Sequence, residues 1–140
     1  MSSSPVRGIV LAHGTMAAGL VDAVRQITGV DADVLQPLSN RGLSPEALAG
    51  EVRARVQGPT LVFTDLQSGS CSFAVRRHCH DLQELVVVSG VNLPMLLEFA
   101  MFRELPVAEL VPRLLSKGRS AIGSSGFNTE QNEHRVVSSG

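Results

Sequence analysis

Apolar residues along this chain fall into short unbroken runs that alternate with longer stretches of helical spacing. The first run, with Val6, Ile9, Val10 and Leu11, stops at His13 and Gly14, and a helical pattern follows at once. Such a run predicts a strand buried on both faces, then a tight turn and a helix N-terminus. Ala17, Leu20, Val24 and Ile27 recur at helical spacing, and Gly29 is a natural C-terminal stop. Asp33 to Leu38 predicts a second strand, and Asn40-Arg41-Gly42 a loop. Ser44-Pro45-Glu46 opens the next helix with a capping serine, a proline whose missing N–H costs nothing in the first turn, and an acid near the positive end of the dipole. Leu48, Val52 and Val56 form its apolar stripe, Glu51 and Arg55 are spaced to pair, and Gly58-Pro59 ends it.

Thr60 to Asp65 predicts a third strand that ends at a carboxylate. A loop from Gln67 to Ser70 leads into a helix from about Cys71 to His80, and Glu84 to Ser89 predicts a fourth strand. Asn92 caps a helix that tolerates Pro94 in its first turn and points Leu96, Leu97, Ala100 and Met101 inward. Val107 to Lys117 is a last helix, where Pro112 predicts a kink or break, and Arg119 to Ser124 reads as a short final strand. Beyond this the chain turns polar. The expected organisation is one domain over residues 1–125 and a mobile tail over 126–140.

Strands alternating with helices argue for an α/β fold, a mostly parallel sheet with helices on both faces, doubly wound. Right-handed crossovers reach both faces only if the strand order reverses once, as in 2-1-3-4. The reversal then falls between strands one and three, which end in His13 and Asp65. Ligands in such folds gather outside the carboxyl ends of the strands at that reversal, so topology brings this imidazole and this carboxylate together where a ligand would sit.

Composition narrows the function. The 140 residues carry a net charge of −1 and contain no Trp or Tyr, so neither a basic field nor a stacking platform favours nucleic acid. No apolar run approaches a membrane span, and the N-terminus lacks a cleavable signal pattern, so a cytoplasmic protein without membrane insertion is expected. Cys71 and Cys79 are expected to be reduced thiols rather than a disulfide.

If Asp65 accepts a hydrogen bond from one ring nitrogen of His13, the tautomer is fixed and the other nitrogen carries its lone pair outward. Such a ring can act as a general base, a metal ligand or a nucleophile. Gly14, Gly69 and Gly90 let backbone come close, and helix N-termini near Thr15, Ser70 and Asn92 aim N–H groups at the crevice. These surroundings favour a nucleophile with a phosphoryl partner, for which Gly14, Thr15, Gly69 and Ser70 are the candidate phosphate-binding positions. No Lys or Arg stands in these loops, so amides and hydroxyls would hold the anion. The bland readings are a structural histidine, an aspartate capping its own loop, and Ser70 as a helix cap. Cys71, His78, Cys79 and His80 lack the short paired spacing of a structural zinc site, and no metal or other cofactor is expected.

Ala12-His13-Gly14-x-x-Ala17-x-Gly19-Leu20, Val62-Phe63-Thr64-Asp65 with Gly69-Ser70, and Gly90-Val91-Asn92-Leu93-Pro94-Met95-Leu96 together resemble the mannose-family enzyme IIA domains of the bacterial phosphoenolpyruvate-dependent sugar phosphotransferase system. The resemblance implies a phosphocarrier that accepts a phosphoryl group on His13 from the histidine-containing phosphocarrier protein and passes it to a IIB partner on a separate chain. It makes Asp65 the orienter of His13 and Ser70 a donor to the phosphoryl oxygens. It also implies a homodimer that exchanges a final antiparallel edge strand, here Ser120 to Gly123. The family usually has Gly-Gly-Ser-Pro after the aspartate, whereas this chain reads Ser68-Gly69-Ser70-Cys71; Ser68 is expected to narrow the loop, and loss of the proline to relax the helix start. Two related roles share these motifs: a regulatory module of the same fold, and the phosphotransfer subunit serving a dihydroxyacetone kinase.

Overall fold

Each of the four apolar runs forms a strand in a computed structural model that describes residues 4–126: β1 (Arg7–Ala12), β2 (Leu35–Ser39), β3 (Thr60–Thr64) and β4 (Leu85–Ser89). Between and after them run α1 (Met16–Thr28), α2 (Pro45–Arg55), α3 (Ser70–His78), α4 (Leu93–Phe102) and α5 (Val107–Ser120). The strands pair in parallel in the order β2-β1-β3-β4, with Gly8 opposite both Leu35 and Leu61. The order expected from the alternation is therefore the one found, and its reversal lies between β1 and β3.

Side chains alternate across the sheet, and each set meets its own helical layer. Val10, Ala12, Leu61 and Phe63 pack with α1, α4 and α5, while Ile9, Leu11 and Val62 pack with α2 and α3. The rings of Phe63 and Phe99 meet edge to face, with centroids 5.2 Å apart. Gly8 makes room for this layer: a Cβ there would stand 2.7 Å from Leu35 Cδ1 and 3.0 Å from the Phe99 ring.

Local signals hold where they are chemical. Ser44 Oγ accepts from the Ala47 N–H at 3.1 Å, Asn92 Oδ1 from the Met95 N–H at 3.1 Å, and Arg55 reaches Glu51 at 2.7 Å. Asn92 also donates to the Gly118 carbonyl at 2.9 Å, which ties α5 to the start of α4. One position of the helical pattern, Ile27, lies outside the core, and one inward assignment, Met101, fails. In α1 the buried residues are Ala17, Val21 and Val24, with Ile27 61% exposed; at about 100° per residue Ile27 lies roughly 80° from Ala17, past the edge of the buried arc. In α4 Phe99 is buried and Met101 exposed, the two lying about 160° apart around the helix.

Helix α5 does not break at Pro112. A proline inside a helix costs about 3 kcal/mol, but Leu110 and Leu114 on either side of it are fully buried, and each contributes roughly 1.5–3 kcal/mol on burial. The helix continues to Ser120, and residues 121–126 form no strand, so the expected strand over 119–124 is absent from this chain. The outer side of β4 has no neighbouring strand among the described residues. Apart from Gly126, the tail expected over 126–140 lies outside the described residues. Within them, no helix is long and apolar enough to cross a membrane.

Candidate functional site

β1 ends at Ala12 and β3 at Thr64, so the next residue of each strand, His13 and Asp65, emerges on the same rim at the reversal of strand order. They meet there. His13 Nδ1 lies 2.7 Å from Asp65 Oδ2, and the His13 backbone N–H donates to the same oxygen at 2.9 Å. Asp65 Oδ1 accepts from the Leu66 N–H at 3.0 Å. The aspartate side chain is 8% exposed and the imidazole 43%, so the acid is held inside while the ring faces out.

Burial alone would push the Asp65 carboxyl up. The hydrogen bonds from the His13 backbone and ring, with the charge of the ring, outweigh it and hold the group below its ordinary value. An ionised Asp65 beside Nδ1 keeps the proton on Nδ1 and leaves the Nε2 lone pair free. Nε2 lies 3.2 Å from Ser70 Oγ, whose hydroxyl can donate to it.

Ser70 is not the cap of α3. Gly69 occupies that position with extended backbone, and Ser70 is the first helical residue, which frees its hydroxyl for the ring. Gly69 is needed for close approach: a Cβ there would stand 3.3 Å from His13 Cε1 and 3.1 Å from Leu66 Cβ. Gly14, at φ +60°, turns the chain from β1 into α1, and Thr15 precedes that helix without a side-chain capping bond. The N–H groups of the first turn of α3 have no intrahelical partner; of its residues Ser70 is exposed, while Cys71 and Ser72 are fully buried. Gly90 and Asn92 stand past the end of β4, where Asn92 is committed to its cap and to Gly118.

Beneath the aspartate lies a cluster of hydroxyls. Thr64 Oγ1 is 2.6 Å from Ser72 Oγ and 2.9 Å from Ser89 Oγ, and Ser72 donates to the Leu66 carbonyl. It joins the ends of β3 and β4 to the first turn of α3. From outside, Arg76 donates to the Gln67 carbonyl at 2.8 Å. The loop over 65–69 is thus fastened on both sides.

Sequence reasoning missed Arg41. Its Nη2 lies 3.5 Å from where a Cβ of Gly14 would stand, and its guanidinium makes no ion pair among the described residues. This corrects the expectation that no cation serves the site. The signal was topological: the loop after β2 stands beside the loop after β1 because those strands are neighbours. Exposed apolar residues were missed as well, with Met16 at 44%, Leu66 at 56% and Phe73 at 52% exposure on the three segments around His13.

Cys71 and Cys79 are buried free thiols in the layer formed with α2 and α3. Burial and then the charge of Asp65 push the Cys71 thiol up to about 11.

The sequence matches the family described as PTS system fructose IIA component, EIIA-man, over residues 8–113. Among solved structures it is similar to the mannose/sorbose specific IIA subunit of the phosphotransferase system from Enterococcus faecalis, at 26% identity and a TM-score of 0.76, over 89% of this chain and 97% of that one. It is similar in fold to the phosphotransferase component EIIA from Streptococcus agalactiae, at 24% identity and a TM-score of 0.77, over 85% and 96%. A sigma-54 interaction domain protein from Enterococcus faecalis has the same fold at 14% identity and a TM-score of 0.66, over 86% and 95%. No curated relative matches the sequence.

Proposed function

The chain belongs to the EIIA-man family of phosphotransferase-system IIA components, and from that premise we propose that it is a cytoplasmic phosphocarrier that relays a phosphoryl group through His13. The observation that carries the reading is the His13–Asp65 contact at 2.7 Å, which leaves Nε2 as the free nitrogen on a half-exposed ring. Nε2 attacks phosphorus in line, the P–N bond to the donor's histidine breaks, and a P–N bond to His13 forms. The ring retains its Nδ1 proton, becomes cationic, and is stabilised by the Asp65 carboxylate. Because the proton stays in place, the ring remains a good leaving group for transfer to a second protein histidine.

The phosphoryl oxygens are met by the hydroxyl and backbone N–H of Ser70 at the start of α3 and by the Arg41 guanidinium, with Gly14, Thr15 and Gly69 shaping the backbone around them. The donor is the histidine-containing phosphocarrier protein and the acceptor a IIB chain. The exposed Met16, Leu66 and Phe73 support a macromolecular donor, since apolar side chains around an open ring suit protein docking. Two copies of the chain form the working unit, which the open side of β4 favours.

Incubation with phosphoenolpyruvate and the two general phosphotransferase proteins tests this. One acid-labile phosphoryl group on His13, absent from His13→Ala, is the expected result; label on another residue, or none, refutes it. The likeness in fold to the sigma-54 interaction domain protein supports a second reading, a regulatory module. Labelled protein that passes phosphate to no IIB chain would favour that reading.

A further inference from the structure

We propose that His13, Asp65 and Cys71 form a site for a borderline-soft divalent cation of the zinc class. Each offers one ligand atom (a ring nitrogen, a carboxylate oxygen and Sγ), and the three atoms lie within 4.8 Å of one another. Zinc binds these donors at about 2.0–2.3 Å, so the atoms of a tetrahedral set stand roughly 3–4 Å apart, and an adjustment of about an ångström closes the site. The donor set excludes the hard cations: calcium and magnesium take oxygen ligands, while imidazole and thiolate select zinc and its neighbours. Three protein ligands leave a fourth position of a tetrahedral zinc unfilled by the protein. Asp65 keeps its outer support, since its Oδ1 accepts from the Leu66 N–H at 3.0 Å.

The protons balance. In the free protein the Cys71 sulfur and His13 Nδ1 each carry one. The bound thiolate gives its proton to solvent, and the ring, ligating through Nδ1, carries its own on Nε2, so one proton leaves per ion. This consequence rests on the phosphocarrier reading: an Nε2 that carries hydrogen has no lone pair for phosphorus, so the ion switches off phosphoryl acceptance. Cys71 is what makes the switch possible, because it is the soft ligand beside the dyad.

Cobalt alone, titrated into the full chain, tests the site. The expected result is one ion per chain, a thiolate-to-cobalt charge-transfer band, and release of about one proton, read by calorimetry in two buffers of different ionisation enthalpy. Cys71→Ala and Cys71→Ser should lose the band and weaken binding by more than about 100-fold, the upper end of what loss of an outer-shell partner costs; two variants are used so that one misfolded protein leaves a result. Absence of the band in the unmodified chain, or unchanged affinity in whichever variant folds, overturns the proposal. In a second arm His13 is labelled with phosphoramidate, which needs no protein donor. Zinc should suppress labelling of the unmodified chain and spare the Cys71 variants. If His13 takes no label even without zinc, the phosphocarrier reading fails while the cobalt band still decides the site.

Discussion

One oxygen of Asp65 accepts from His13 twice, from the ring at 2.7 Å and from the backbone N–H at 2.9 Å. The second bond fixes the chain at the mouth of β1, and the first fixes the ring. Asparagine preserves the shape but withdraws the charge that stabilises a cationic ring. Asp65→Asn should keep the fold and slow phosphoryl acceptance by roughly 10²–10⁴-fold, the usual span for a positioned proton-holding group. Rapid-quench labelling measures it, and an unchanged rate removes Asp65 from the mechanism.

The same pair sets an acid limit on stability. The Asp65 carboxyl lies below its ordinary value of 3.8 in the folded chain. Its contribution is therefore complete above that value and disappears as pH falls through the lower, folded-state value. Urea unfolding of the native chain and Asp65→Asn from neutral pH downward should give a stability gap that narrows only in the acid range. A constant gap would show that the ionised carboxylate contributes nothing to folding.

Gly69→Ala places a methyl group 3.3 Å from His13 Cε1 and 3.1 Å from Leu66 Cβ. The ring must give by a few tenths of an ångström, away from its aligned position. We expect transfer to fall by about tenfold and stability by no more than about 1–3 kcal/mol. A normal labelling rate in a normally folded variant would mean that the ring has slack.

Arg41→Gln removes the cation beside Gly14 without changing the backbone. Because the guanidinium is exposed, the loss should lie below that of a buried oxyanion donor, at about tenfold in the rate of acceptance. Arg41→Lys should recover part of it. Raising ionic strength should narrow the difference between the native chain and Arg41→Gln. Equal rates at low salt would place Arg41 outside the reaction.

Asn92→Ala tests the frame apart from the chemistry. It deletes the cap of α4 and the bond to the Gly118 carbonyl, at a cost of about 1–2 kcal/mol. Thermal unfolding should shift downward by several degrees, with labelling of His13 unchanged at temperatures where the variant is folded. A variant as stable as the native chain would contradict the capping role.

The sequence made the sheet legible because buried parallel strands are written as apolar runs, and handedness then restricts how they are ordered. It exposed His13 and Asp65 for the same reason, as the polar residues that end two such runs. Arg41 was hidden because a loop residue declares no position of its own; it takes one from the neighbouring strand. The course of α5 through Pro112 was hidden too, since a local rule was outweighed by Leu110 and Leu114 in a core that only the assembled fold contains. Ser70 read as a cap because serine often is one, yet Gly69 fills that role and leaves the hydroxyl to the imidazole.

The hydroxyls of Thr64, Ser72 and Ser89 form a clamp shared by two strand ends and a helix, with Thr64 and Ser72 fully buried. Each hydroxyl has one proton to give, so turning any of them away means reorienting the whole set. The rim around His13 is therefore assembled before any partner arrives. On the phosphocarrier reading proposed above, docking would then ask for two surfaces finding register and for no rebuilding of this rim.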